Sequence, residues 1–165
     1  LNPASFGSRM FAAHAALGWP EDPHLALWHA ATLYREFRGD GHVACLLADG
    51  VDGCEAHVLA AGAGQLPGAF LREYRGWSEE EWAAAAARLR ARGLVTGDGR
   101  LTEAGRATRA AIEDRTDDLA VDPWRHLGEQ GWARLLDLLG RPTRLIVQGR
   151  GVPFPNPVGL PEPAA

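Results

Sequence analysis

The sequence predicts a mainly α-helical chain in which a helix-turn-helix is followed by a small two-stranded β-hairpin wing. Three observations carry this. Apolar residues recur at helical spacing through most of the 165 residues. A short apolar helix at 66–76, a tight Gly76-Trp77-Ser78 turn and a longer helix opening at Ser78 make a helix-turn-helix. Directly after it, LVTGDGRLT (94–102) places Gly97-Asp98-Gly99 between two short apolar limbs, the pattern of a hairpin tip.

In chain order, residues 1–22 form a lead-in segment whose Phe11 and Trp19 are expected to dock on the core. Asp22-Pro23 is a helix start, with Asp as N-cap and Pro at the first helical position. The helix that follows is apolar nearly all round from Leu25 to Leu33 and is expected to stop at Gly39. Short helices are expected at 42–50, at 52–62 and at 66–76. Ser78 with Glu81 three residues later is a capping box, and Trp82, Ala85, Ala86 and Leu89 then share one face up to Gly93. Thr102 caps the helix after the hairpin, and a last helix is expected over about 123–140. The stretch GVPFPNPVGLPEPAA holds five prolines and reads as an extended tail, with Phe154, Val158 and Leu160 spaced for docking. The expected organisation is therefore a lead-in (1–22), a winged-helix domain with flanking helices (23–145) and an extended Pro-rich tail (146–165).

Bulk properties narrow the function classes. The net charge is −4 and all 17 basic residues are arginine, which argues against a strongly nucleic-acid-loving chain while leaving room for a local basic stripe. Cys45 and Cys54 are too few for a disulfide framework and sit in apolar helical surroundings, so they read as reduced thiols of a cytoplasmic protein. No apolar run approaches the length of a membrane span.

The run SEEEWAAAAARLRARGLVTGDGRLTEAGR resembles the second helix and wing of MarR-type winged-helix regulators, through the Leu89-x-x-x-Gly93-Leu94-Val95 exit, the Gly-rich hairpin and Leu101-Thr102-x-x-Gly105 opening the next helix. More widely, the run from LWHAATLYREFRGDGHVA to FPNPVGL resembles a family of actinobacterial proteins of unknown function whose members are longer, and the absence of Lys with abundant Ala and Gly fits a GC-rich genome. The first resemblance implies double-stranded DNA as partner, a homodimer formed through the first and last helices, and a small effector bound between the first helices and the winged-helix lobe.

Within that frame, Arg72 and Arg75 on the first helix of the motif are the best-placed phosphate contacts, joined by Arg100 at the wing and Arg88 on the second helix. The second helix opens on Glu79, Glu80 and Glu81, which would repel a polyanion, and its exposed Ala83, Ala84 and Ala87 offer little to a base edge. A DNA-binding regulator therefore stands beside a second reading, a winged-helix scaffold that has lost DNA binding and serves as a small-molecule or protein-interaction module.

A second cluster, YREFRGDGH (34–42), breaks the apolar run. Read structurally, Arg38-Gly39 ends one helix, Asp40 caps the next and Arg35 pairs with Asp40 across the turn. Read as a ligand site, Trp28, Thr32 and Arg35 share one helical face, His29 and Glu36 the next, and Arg38, Asp40, His42 and His57 complete a polar-aromatic pocket for a small aromatic molecule. The histidines lack metal-ligand spacing and no nucleophile lies near a base, so no metal, cofactor or catalytic residue is expected, and an enzyme using the Arg/Asp/His groups as acid and base is the weakest reading.

Overall fold

A computed structural model describes residues 7–161, and the chain is mainly helical. Its α-helices are α1 (Arg9–Ala15), α2 (Pro23–Ala48), α3 (Gly53–Gly62), α4 (Gly68–Arg75), α5 (Glu79–Ala91), α6 (Glu103–Ala120) and α7 (Gly128–Gln148). Two compact units divide them: one comprises the chain up to Asp52 with Ala107–Asp122, the other Gly53–Arg106 with the chain from Pro123 onward.

The first unit is built on α2. Asp22 is its N-cap and Pro23 its first residue, as the sequence predicts. The expected stop at Gly39 does not occur: α2 runs unbroken through Arg38-Gly39-Asp40-Gly41-His42 to Ala48, absorbing the separate helix expected at 42–50. Glycine inside a helix costs only about 1 kcal/mol relative to alanine, and tertiary contacts outweigh that here. A Cβ at Gly41 would lie 3.5 Å from the Leu119 Cβ of α6, so the glycine lets the two helices approach closely. On either side, Arg38 reaches Glu113 and Asp117, and His42 reaches Thr116. One turn on, Arg115 pairs with Asp49. From the lead-in, Phe11 packs edge-on against Phe37 with ring centroids 5.4 Å apart, and Trp19 packs on His29 at 4.9 Å.

In the second unit, α3 packs against both α4 and α5, and Cys54, Val58, Leu59, Leu71, Ala85 and Leu89 are buried. The expected wing is corrected. Among the described residues 94–102 contains no strand, only an isolated antiparallel bridge between Val95 and Leu101. Thr96 N donates to Arg100 O at 2.8 Å and closes the turn, but the ladder cannot extend. Thr102 N donates to Leu94 O at 3.1 Å and completes that single bridge, but Leu94 N donates to Leu89 O (2.9 Å) and Arg100 N to Thr96 Oγ1 (3.1 Å), so the N–H groups that further rungs would need are committed elsewhere. Outside the bridge, Leu101 N donates to Gly62 O at the end of α3 (3.2 Å), and the Thr102 hydroxyl donates to Gly93 O (2.7 Å). Thr102 also caps α6 through Gly105 N at 3.0 Å.

The last helix differs from its expected bounds as well. Asp122–Trp124 form a single 3₁₀ turn, and α7 starts at Gly128 and continues past Pro142 to Gln148, because its apolar stripe continues through Leu145 and Ile146. Beyond it, Phe154 is half-buried but Val158 and Leu160 are exposed, so only one of the three residues singled out by apolar spacing is covered, and the buried residue of the tail is Asn156.

The start of α6 depends on Gly105, where an added Cβ would stand 2.0 Å from Leu94 O, with backbone on both sides of the clash. Gly105→Ala should therefore cost about 2–3 kcal/mol, the scale of an overpacked core position. Urea unfolding checks this, and a loss under about 0.5 kcal/mol would contradict the close approach.

Candidate nucleic-acid interface

The helix-turn-helix is assembled from α4, the Gly76-Trp77-Ser78 turn and α5. Gly76 adopts the left-handed conformation, and Trp77 N reaches back to Arg72 O at 2.9 Å, closing the C-terminus of α4. The capping box then starts α5: Ser78 Oγ accepts from Glu81 N at 3.1 Å, and the Glu81 carboxylate accepts from Ser78 N at 2.8 Å. These bonds from Ser78, first to its backbone and then to its side chain, hold the Glu81 carboxyl below its usual range. Trp77 anchors the turn to α3, since its indole N–H donates to His57 Nδ1 at 3.0 Å. Indole nitrogen is a donor only, so His57 accepts there as a neutral ring. Burial pushes the His57 pKa down, Arg75 adds to this, and the Gly53 carbonyl opposes it.

Each of the four candidate phosphate contacts already has a partner within the second unit. Arg72 pairs with Glu79 at 3.1 Å. Arg75 donates to Pro157 O in the tail at 2.9 Å. Arg88 Nε bonds the buried Glu55 at 2.9 Å, with Arg92 3.8 Å from the same carboxylate. Arg100 pairs with Asp98 at 2.8 Å, and Asp98 is held acidic first by the Thr96 hydroxyl and then by Arg100. Over 53–106 seven arginines face seven carboxylates, so the segment carries no excess charge. The mouth of α5 remains acidic: Glu79, Glu80 and Glu81 are all exposed, as are Ala83, Ala84 and Ala87.

The RGDGH cluster is differently arranged from either sequence reading. Arg35 and Asp40 do not pair. Arg35 bonds its neighbour Glu36 and its side chain stays largely in solvent. Asp40 instead accepts from Phe11 N at 2.9 Å. Because Ser8, the N-cap of α1, makes no side-chain cap bond, the Asp40 carboxylate supplies the cap from α2. The reason for the mismatch is the unbroken helix: without a turn at Gly39, residue 40 cannot fold back onto residue 35.

The same continuity distributes the proposed pocket residues. His29 and Glu36 are buried on one face of α2, while Arg38 lies nine residues from His29, on the opposite face, and binds Glu113 at 3.0 Å and Asp117 at 2.9 Å. Trp28 is 73% exposed and Thr32 turns its hydroxyl back to Trp28 O. His29 Nε2 is buried without a hydrogen-bond partner, beneath Trp19. His42 Nδ1 lies 3.0 Å from the Thr116 hydroxyl, which itself donates to Ile112 O at 2.7 Å. With that hydroxyl proton committed, the imidazole must donate from Nδ1. Burial lowers the His42 pKa most; Glu113 opposes, and Arg38 and Arg109 reinforce the lowering. His57 belongs to the second unit and serves Trp77.

Sequence reasoning had no sight of Glu113, Thr116 and Asp117 as the partners of this cluster. The available signal was Thr116, a small polar residue inside the charged run IEDRTDD, which is fully buried. Glu55, the lone acid of the apolar helix GCEAHVLAAG and a candidate for the pocket lining beside His57, instead anchors Arg88.

Among the described residues no helix is long and apolar enough to cross a membrane. Residues 2–153 match the model of a helix-turn-helix family. No curated protein and no solved structure matches the chain.

Two outcomes follow from the first unit. Asp40→Ala should remove the cap of α1 at a cost of about 1 kcal/mol, and speed hydrogen exchange at Phe11 N; unchanged exchange there would contradict the contact. His42 holds fewer protons folded than unfolded, so its contribution to stability is complete above its ordinary pKa of 6.5 and is lost as pH falls below that value. Denaturation of wild type and His42→Gln between pH 7.5 and 5 (an assay range of about two units,) should show a shallower fall in the variant. Parallel curves would contradict the assignment.

Proposed function

Because the chain belongs to this helix-turn-helix family, we propose that it is a regulator-type protein that binds double-stranded DNA weakly through α4 and α5, with a MarR-like architecture. The observation that carries this reading is the tightly capped α4–turn–α5 unit, whose turn is fixed by the Gly76 exit, the Ser78–Glu81 box and the Trp77–His57 bond. The internal pairing of its arginines supports weak binding. A phosphate must compete with Glu79 for Arg72 and with Asp98 for Arg100, so affinity should be electrostatic and strongly salt-dependent. Homodimer formation is part of the proposal. Its support is α7, a 21-residue helix with no buried residue that exposes Trp132, Leu136, Leu138, Leu145 and Ile146.

A second reading has its own support: a helix-turn-helix scaffold without DNA binding that takes up a small aromatic molecule. The buried, unpartnered Nε2 of His29 beneath the Trp19 ring favours it, since such an atom calls for a hydrogen-bonding guest.

Glu79→Gln combined with Glu80→Gln separates the two. The double substitution releases Arg72 and removes two negative charges from the mouth of α5. For the DNA-binding reading, fluorescence anisotropy with duplex DNA at low salt should show tighter binding and a salt slope steeper by about one unit. Identical binding curves would mean that this helix does not face DNA.

A further inference from the structure

The segment after α7 is organised by a single buried side chain. Asn156 is 4% exposed, and its carboxamide oxygen accepts from both Val158 N and Leu160 N at 3.2 Å. Its amide nitrogen donates to Leu160 O at 3.2 Å, and its own carbonyl accepts from Gly159 N at 3.0 Å. These bonds fold 156–160 into a tight turn. Gly159 occupies the left-handed region at φ +79°, and a Cβ there would lie 3.9 Å from Leu66 Cδ1, just ahead of α4. The turn is thus seated at the beginning of α4 through Leu66, and at its end through Arg75, which donates to Pro157 O at 2.9 Å.

We propose that this turn is a strap that holds Arg75 away from nucleic acid, so that residues 156–160 set the affinity of the helix-turn-helix for phosphate. The inference rests on the DNA-binding reading above. Arg75 stands out among the candidate phosphate contacts because its partner is a neutral carbonyl, where Arg72, Arg88 and Arg100 face carboxylates. A carbonyl dipole is a weaker competitor than a phosphate for a guanidinium, which forms its strongest hydrogen bonds with anions. Exchange of Pro157 O for a phosphate oxygen is therefore favourable in direction. What opposes it is the hydrogen bond to Pro157 O, which the bonds around Asn156 hold in place beside Arg75. Partners or modifications that peel the turn off α4 would raise DNA affinity without touching a DNA-facing residue.

Two substitutions release the strap by independent routes. Asn156→Ala removes the bonds that shape the turn, and Gly159→Val forces a branched side chain into a left-handed backbone. Neither residue belongs to the helix-turn-helix, and circular dichroism of each full-length variant confirms that the helices remain. Duplex DNA binding is measured by anisotropy across a salt series. Both variants should bind roughly tenfold tighter than wild type at low salt, with a slope steeper by about one unit, and adding Arg75→Ala should cancel the gain. If wild type binds and the variants bind equally or more weakly, the strap is overturned while DNA binding stands. If neither wild type nor variants show salt-dependent binding, both the strap and the DNA-binding reading are overturned.

Discussion

The second unit depends on one buried carboxylate. Glu55 sits on α3, its side chain only 4% exposed, among Cys54, Val58 and Leu59. A charge in that position is tolerable only if it is paired, and α5 supplies the pair through Arg88 and, at longer range, Arg92. This fixes the rotation of α5 about its own axis. With Arg88 turned in to Glu55 and Ala85 and Leu89 packed into the core, Ala83, Ala84 and Ala87 are left facing outward. The helix that would read base edges is therefore oriented by an ion pair that consumes its own positive charge. Both arginines remain partly exposed, which moderates the strength of the pair, but removing either partner would leave a buried charge short of hydrogen bonds.

Local signals in the sequence were legible wherever a short motif satisfies its own backbone. Asp22-Pro23 marks the start of α2, though the Asp22 side chain makes no cap bond, and the Ser78–Glu81 box, the Gly76 exit and Thr102 at the start of α6 each close hydrogen bonds within five residues. The errors fall where a distant segment decides. Gly39 and Gly41 have the composition of a helix stop, yet α6 offers Leu119 against Gly41, Glu113 to Arg38 and Thr116 to His42, and the helix continues. The hairpin carries a good turn, yet Leu89 O and Thr96 Oγ1 claim the N–H groups of Leu94 and Arg100 that further rungs would use. Propensity at these sites was worth a kilocalorie or so, and packing outweighed it.

The candidate sites show the same division. The residue types were visible: Arg72, Arg75, Arg88 and Arg100 are where a helix-turn-helix would need cations, and Arg38, Asp40 and His42 do form polar networks. Their partners were not visible, because Glu113, Thr116, Asp117 and Pro157 lie 74 to 82 residues away in sequence. Asp40 illustrates the consequence. Its carboxylate does cap a helix, as its type suggests, but the helix is α1, 29 residues earlier in the chain.

Internal neutralisation changes what DNA binding by such a surface means. A free arginine adds its full attraction when a phosphate arrives and releases a counterion. An arginine held by Glu79 or Asp98 must first give up that carboxylate, and the carboxylate then faces the approaching backbone. The net gain per contact is the difference between two charge-assisted bonds, which is small, and the exposed Glu80 adds repulsion without any compensating pair of its own on α5. Arg75 escapes this cancellation because giving up a carbonyl leaves no negative charge behind. A helix-turn-helix built this way gains affinity chiefly by changing the partners of its own side chains, so its control resides in the segments that hold those partners, the mouth of α5 and the turn around Asn156.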